Sequence, residues 1–145
     1  MISVLRSFAI SASGMTAERL RMDTIANNLA NANTTRTADG GPYRRQIPVF
    51  AAREAARTAS GRRASAFTGM GVRVVGIAHD PGPPRLVYDP EHPDADENGY
   101  VHMPNVDVVR EMVDLISASR AYEANITSFN TAKAMAMRAL DIGRA

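Results

Sequence analysis

A repeat of apolar residues near the C-terminal end of the sequence constrains the fold more than any other feature. Between about Asp107 and Ile142 these residues recur at alternating spacings of three and four, which predicts a long amphipathic helix. Asn105 or Asp107 is expected to cap its start. A single helix cannot bury its own apolar stripe, so this one needs a partner surface. The stripe contains Met112, Leu115, Ser119, Tyr122, Ile126, Phe129, Lys133, Ala136 and Leu140.

The N-terminal residues carry a second stripe of the same kind. From about Ser3 to Ala32, apolar side chains again fall on one helical face. The Ser13-Gly14 pair is a weak point, because glycine costs a helix about 1 kcal/mol relative to alanine. Accumulating asparagines predict an end near Asn31 to Asn33. The residues on this stripe include Val4, Phe8, Met15, Met22, Ile25 and Leu29.

The stretch between the two helices differs in composition. Six of the eight prolines lie between Pro81 and Pro104, which rules out a long helix there. Gly40-Gly41-Pro42 predicts a turn. Residues 51–66 are rich in Ala, Arg and Ser without an apolar period, which favours a loop or a frayed helix. Strands are predicted at Arg44 to Phe50, Gly71 to Ala78, Arg85 to Tyr88 and Tyr100 to Met103.

These patterns predict an α+β protein in which two long terminal helices form a coiled-coil-like pair around an inserted β-rich domain. We expect an N-terminal arm over residues 1–33, a β-rich domain over 34–104 with a mobile loop at about 51–67, and a C-terminal arm over 105–145. The N-terminal residues lack the pattern of a cleaved secretory signal, and no window is apolar enough to predict membrane insertion.

Charge is distributed unevenly although the formal net charge is only +2. Residues 36–73 contain eight arginines against two carboxylates, whereas residues 79–114 contain two arginines against nine carboxylates. This asymmetry suits contact between the basic part of one copy and the acidic part of another, or with other neighbours. Two solvated faces of a single domain would give the same pattern.

Motifs for catalysis, metal binding and nucleic-acid binding are weak. Residues 94–99 match the start of an EF-hand loop, but Asn105 stands where the bidentate glutamate is needed. The three histidines match no zinc spacing, and the chain contains no cysteine. No nucleophile elbow or phosphate-binding loop is present, so we expect no enzyme, cofactor or metal. An acidic half disfavours nucleic acid as a partner.

An asparagine-rich stretch resembles the N-terminal signature of the flagellar rod and hook proteins. It reads Ala26-Asn27-Asn28-Leu29-Ala30-Asn31 and is followed by Thr34-Thr35. Arg36-Thr37-Ala38 then replaces the glycine and aromatic residue of the distal-rod and hook subunits. Further similarity to proximal-rod members of the family lies in residues 39–45, 71–77, 80–84, 86–90, 92–95, 99–101, 103–106, 111–114 and 117–125.

The resemblance implies a structural subunit of the bacterial flagellar basal body, located in the rod that spans the periplasm. Members of the family are exported without a cleaved signal peptide and assemble through their terminal helices. Implied partners are other copies of the chain, the rod subunits FlgB, FlgF and FlgG, the adaptor FliE and the flagellar type III export apparatus. The family motif would be Asn27, Asn28, Leu29, Asn31, Thr34 and Thr35. The assembly interface would consist of large apolar residues of the two stripes, namely Val4, Phe8, Met15, Met22, Ile25, Leu29, Met112, Leu115, Tyr122, Ile126, Phe129 and Leu140. The alternative from the residues alone is a standalone soluble protein-binding module with charged faces.

Overall fold

The computed structural model describes residues 2–38, 40–53 and 69–142, with side chains from residue 6 onward. In this described part of the chain, one helix comes first and another last, and four short strands lie between them. The elements are α1 (Ile2–Ala30), β1 (Gln46–Ala52), β2 (Val72–His79), β3 (Arg85–Tyr88), β4 (Tyr100–Met103) and α2 (Val108–Ile142). The predicted α+β class and all six predicted elements are confirmed.

Polar side chains define the end of α1 and the start of α2. At the end of α1, Asn31 donates from its side-chain amide to the Asn27 carbonyl (2.9 Å) and accepts from the Thr34 hydroxyl (3.2 Å). At the start of α2, the Asp107 carboxylate accepts from the backbone N–H groups of Val109 (3.0 Å) and Arg110 (3.2 Å). Asp107 is therefore the N-cap of α2, whereas Asn105, the other residue expected there, binds elsewhere.

The strands form two two-stranded sheets, β1 with β2 and β3 with β4. Strands β3 and β4 are antiparallel, with Val87 opposite Val101 and Tyr88 opposite Tyr100. Strand β1 continues to Ala52, so the loop predicted to begin at about residue 51 begins later. Its apolar Val49-Phe50-Ala51-Ala52 run extends the strand because it can pair with β2. Residues 54–67 of that predicted loop lie outside the described part of the chain.

Contacts divide the chain into two compact units. The first unit comprises Met1–Leu20, Val49–Gly76 and Ala118–Ala145, and the second comprises Arg21–Pro48 and Ile77–Ser117. Each unit thus contains part of α1, part of α2 and strand residues.

In the first unit, the two helices pack in antiparallel directions. The rings of Phe8 and Phe129 lie 4.9 Å apart between centroids, at an interplanar angle of 52°. Six residues later on α1, Gly14 faces the side chain of Asn125, four residues earlier on α2. A Cβ at Gly14 would lie 2.8 Å from Asn125 Oδ1, so the absent side chain permits this close approach. The apparent weak point of α1 is therefore a helix contact.

Strand β2 is attached to α1 of the same unit through Ser13. The Ser13 hydroxyl donates to the Ile10 carbonyl (2.7 Å) and accepts from the backbone N–H of Val72 (3.1 Å). Gly71 precedes this bond with a φ of 95°, and a Cβ there would collide with Ser13 Oγ. Glycine at this position allows both the left-handed backbone and the contact.

The second unit has a small apolar cluster of Ala32, Tyr43 and Val106. Val101 of β4 is also buried, whereas its neighbours Tyr100 and His102 are exposed, as alternation along a strand requires. The helices are again antiparallel, because Arg21 pairs with Asp114 (3.6 Å) and Asn28 with Glu111 (2.9 Å). Neither described helix has the length and apolar character needed to cross a membrane.

Candidate assembly site

Asn28 lies at the centre of a buried polar network in the second unit. Its side-chain amide donates to Glu111 Oε2 (2.9 Å) and to the Gln46 carbonyl (2.9 Å). Its carbonyl oxygen accepts from the Tyr43 hydroxyl (2.9 Å) and from the Gln46 backbone N–H (2.9 Å). Both donors and both acceptor sites of this amide are therefore used, which is the condition for burying a polar side chain at low cost.

An ion pair between Arg45 and Glu111 occupies the same network. Glu111 is fully buried, and its Oε1 accepts from Arg45 Nε and Nη2, each at 2.6 Å. The guanidinium also lies near the carboxylates of Asp80 (3.7 Å) and Asp114 (3.6 Å). A two-pronged contact of this type is short and directional, so it fixes the first turn of α2 against the residues that precede β1.

Asn105 joins the turn after β2 to the start of β1. Its carbonyl oxygen accepts from the Arg45 backbone N–H (2.9 Å), and its amide donates to the Gly82 carbonyl (3.3 Å). Asp80 closes the same connection, because its backbone N–H donates to the Arg45 carbonyl (2.8 Å). Asn105 was considered above as a helix cap and as the twelfth position of a calcium loop, but its side chain has this bridging role instead.

Burial and charge both alter the titration of Tyr43. Its ring belongs to the apolar cluster, and burial raises the pKa of its hydroxyl above the ordinary value of 10.0. The nearby negative charge of Glu111 raises it further. The neutral hydroxyl therefore remains available as the donor to Asn28.

The other residues of the asparagine-rich motif have separate local roles. Asn27 donates from its amide to Gln46 Oε1 (3.2 Å) and to the Tyr43 hydroxyl (3.2 Å), and Leu29 is half-buried. Asn31 and Thr34 end α1, as described above. The Thr35 hydroxyl donates to Asp94 (2.8 Å), so the end of the motif contacts the loop between β3 and β4.

The carboxylate of Asp94 is bound by the side chains of Thr35 and Arg36. The Thr35 hydrogen bond lowers the pKa of this carboxyl, and the positive charge of Arg36, 2.6 Å away, lowers it further. Asp96 accepts from the backbone N–H groups of Asn98 and Tyr100, each at 2.9 Å. Within the part of the chain that the structure describes, no group of three His, Asp or Glu side chains could hold a metal ion.

An exposed apolar face lies on the first part of α2. Val109, Met112, Val113 and Ile116 follow the spacing of one helical face, and each is more than half exposed. We call these four residues the α2 face. Val109 is 72% exposed and Val113 is 62% exposed. More exposed apolar residues follow near the end of α2, namely Met135, Met137, Leu140 and Ile142.

The residues predicted to form the assembly interface occupy three environments. Ile25 is buried within the chain, and Val4 lies outside the described side chains. Met112 and Leu140 are more than half exposed. The rest are half-buried: Phe8, Met15, Met22, Leu29, Leu115, Tyr122, Ile126 and Phe129.

The least exposed residues of α2 are Glu111 and Ala118, and neither belongs to the predicted apolar stripe. The apolar period could not reveal Glu111, because a buried carboxylate depends on Arg45, which is 66 positions away in the sequence. Arg45 was visible as one arginine in a basic stretch and as part of the segment 39–45 that resembles proximal-rod proteins. The resemblance also covered Asn28, in the asparagine-rich motif, and Glu111, but it did not predict that the three side chains meet.

Two family models match the chain. One is described as the flagella basal body rod protein and matches residues 8–36, which include the asparagine-rich motif. The other is described as the flagellar basal body rod FlgEFG protein C-terminal and matches residues 97–142, which include α2. The matched segments therefore supply Asn28 and Glu111, the two fully engaged side chains of the network.

Curated relatives are similar over nearly the whole chain. The flagellar basal-body rod protein FlgC of Borreliella burgdorferi is 48% identical over 97% of this chain and 98% of its own length. The FlgC proteins of Bacillus subtilis and Salmonella typhimurium are each 43% identical over 99% of this chain and 100% of their own lengths. With its fold, its asparagine-rich motif and this similarity, the chain belongs to the FlgC family of flagellar basal-body rod proteins.

Proposed function

We propose that the chain is a structural subunit of the proximal rod in the bacterial flagellar basal body. Its role is to add to the axial structure by contacts between subunits, and it carries out no chemical reaction. Family membership supports the location. The exposed α2 face supports assembly, because a monomer that works alone gains nothing from four large apolar side chains aligned in water.

Assembly in this proposal uses the apolar surfaces of both helices. The half-buried stripe residues hold the helices together within each unit, and the α2 face and the exposed residues near the end of α2 contact neighbouring subunits. For assembly, the chain divides into an N-terminal arm over residues 1–33, a β-rich domain over 34–104 and a C-terminal arm over 105–145.

The partners in this proposal are other copies of the chain, the rod subunits FlgB, FlgF and FlgG, and the adaptor FliE. The chain reaches the periplasm through the flagellar type III export apparatus, without a cleaved signal peptide. A standalone binding module, the alternative from the sequence, finds no support in the three relatives described above, each of which is a flagellar basal-body rod protein.

Fractionation of flagellated cells tests the proposal. An epitope-tagged copy replaces the native gene product, and detergent-resistant basal bodies are purified and probed for the tag. We expect the full-length chain in the basal-body fraction, with an intact N-terminus by mass spectrometry. Recovery only from the soluble fraction of motile cells would contradict a role in the rod, and a shortened N-terminus would contradict unprocessed export.

A further inference from the structure

The strands β3 and β4 present an exposed aromatic face. Because residues directly opposite in an antiparallel pair point to the same side of the sheet, Leu86 and His102 share a face with Tyr88 and Tyr100. All four are exposed, and Tyr88 is 66% exposed. The two tyrosine rings lie 5.3 Å apart in an edge-to-face arrangement. We call these four residues the aromatic face.

The loop between the two strands of the aromatic face is rich in carboxylates. The loop that joins β3 to β4, residues 89–99, contains five carboxylates and neither lysine nor arginine. Glu91 and Glu97 in this loop are exposed and pair with no described cation. Backbone bonds hold the loop in place, including Asp89 N–H to the Gly99 carbonyl and Asp96 N–H to the Tyr100 carbonyl. The surface is therefore a fixed apolar patch accompanied by negative charge.

The first unit contains a pocket of complementary character. It has a volume of about 690 Å³, which lies within the range of about 300–1,000 Å³ typical of ligand pockets. Alanines and a methionine supply its apolar lining, and Arg53 and Arg73 supply positive charge. Both arginines are exposed, and neither forms an ion pair with a described residue. We call this the arginine pocket, lined by Ala9, Ala51, Ala52, Arg53, Met70 and Arg73.

We propose that the aromatic face of one copy docks in the arginine pocket of a second copy of this chain. Tyr88 and Tyr100 enter the apolar lining, where rigid amphipathic rings gain contact area at a small entropic cost. Glu91 and Glu97 pair with Arg53 and Arg73 of the second copy, so the contact joins the acidic stretch of one copy to the basic stretch of the other. Two different surfaces meet in this contact, so it can repeat from copy to copy and extend an assembly. The proposal rests on the rod function proposed above and adds a specific contact between like subunits.

Disulfide trapping gives a direct test, because the chain has no cysteine of its own. Asn98→Cys adjoins Glu97 on the loop, and Met70→Cys lies in the arginine pocket, so neither removes a charged residue of the contact. Cells that lack the native gene express both single-cysteine copies, and purified basal bodies are oxidised. We expect a disulfide-linked dimer at several times the yield of a control that pairs Asn98→Cys with exposed Ser128→Cys.

A charge-reversal experiment separates the contact from effects on folding. Glu91→Arg/Glu97→Arg in one copy, or Arg53→Glu/Arg73→Glu in another, should each lower the chain's recovery in basal bodies by roughly tenfold, because like charges then meet. Co-expression of the two reversed copies should restore recovery, since each restores a complementary pair. Equal cross-linking in test and control pairs, or no restoration on co-expression, would overturn the contact. If the single-cysteine copies support motility but never enter basal bodies, the result contradicts the proposed rod function as well as the contact.

Discussion

Asn28 and Glu111 are 83 positions apart in the sequence, yet their side chains form a hydrogen bond of 2.9 Å from which solvent is excluded. Asn28 is 1% exposed and Glu111 is 0% exposed. This bond connects the last turns of α1 to the first turn of α2. The network around it brings the residues before β1 to the same point, so three separate segments of the chain depend on one asparagine.

Replacing Asn28 with aspartate should destabilise the second unit strongly. The substitution removes the donor to Glu111 and to the Gln46 carbonyl, and it places a second carboxylate beside Glu111. We expect a loss of about 3 kcal/mol or more, because a buried charge is left without compensation. Urea denaturation followed by circular dichroism measures it. Asn33→Asp is the matched control, since Asn33 belongs to the same stretch but is exposed, and comparable losses for both variants would contradict the role of Asn28.

The Arg45–Glu111 pair should show strong coupling in a double-mutant cycle. Glu111→Leu alone leaves Arg45 without its closest partner, at an expected cost of about 3–5 kcal/mol. Arg45→Met together with Glu111→Leu should cost clearly less than the sum of the single changes, because neither member of the pair is then left without the other. The free energy of unfolding of the four proteins gives the coupling. Simple additivity would show that the pair acts as two independent residues.

Gly71→Ala should destabilise the first unit, whereas Gly76→Ala should have little effect. Gly71 has a φ of 95°, and an added Cβ would collide with the Ser13 hydroxyl that holds β2. A residue forced into this conformation costs about 1–3 kcal/mol, before the loss of the Ser13 bond is counted. Gly76 lies within β2, five residues after Gly71, without a positive φ, and nothing lies within 4 Å of its Cβ position. Thermal unfolding of the two variants checks the difference, and a stabilised Gly71→Ala variant would exclude the proposed contact.

Stability should fall in alkaline solution because of Tyr43. Its pKa in the folded chain is raised above 10.0, so the folded chain holds the proton more tightly than the unfolded chain does. The resulting contribution is fully present below pH 10.0 and is lost as the pH rises from there through the folded pKa. Tyr43→Phe should reduce the dependence of the urea midpoint on pH in this range. Tyr88→Phe, at an exposed ring, should retain the wild-type dependence, and equal dependence in both variants would argue against a buried, neutral Tyr43.

Periodicity along the sequence was sufficient to predict the two helices and the four strands. Helical stripes and short β-branched runs are local patterns, so their elements could be placed to within a few residues. It was harder to predict which side chains of α2 are exposed. Its predicted stripe included Met112 and Leu140, which are exposed, because hydrophobic period alone cannot distinguish a side chain that packs within the chain from one available to a neighbour.

The polar network could not be predicted from local patterns. In the sequence, Glu111 is one carboxylate of an acidic stretch and Arg45 is one arginine of a basic stretch. Their burial depends on partners 66 positions apart, on the Asn28 amide and on the shape of the turn around Asn105. The amino-acid composition gives no information about these contacts. The family resemblance singled out Asn28 but supplied no physical reason for it, and the structure provides that reason in four hydrogen bonds.

Assembly through the α2 face is the central claim, and an aspartate scan of exposed positions is its sharpest test. Asp at Leu115, Ile126 or Phe129 should also block incorporation, but these side chains are half-buried, so such changes would also disturb packing within the chain. Val113→Asp changes an exposed side chain of the α2 face. Ser128→Asp adds the same charge 15 residues later on α2, at an exposed polar position away from this face.

The decisive measurement is the amount of each variant in purified basal bodies, normalised to the amount exported. We expect Val113→Asp to be exported normally, to be nearly absent from basal bodies and to abolish swimming. Ser128→Asp should be incorporated at the wild-type level. Normal incorporation of Val113→Asp, in motile cells, would contradict assembly through the α2 face.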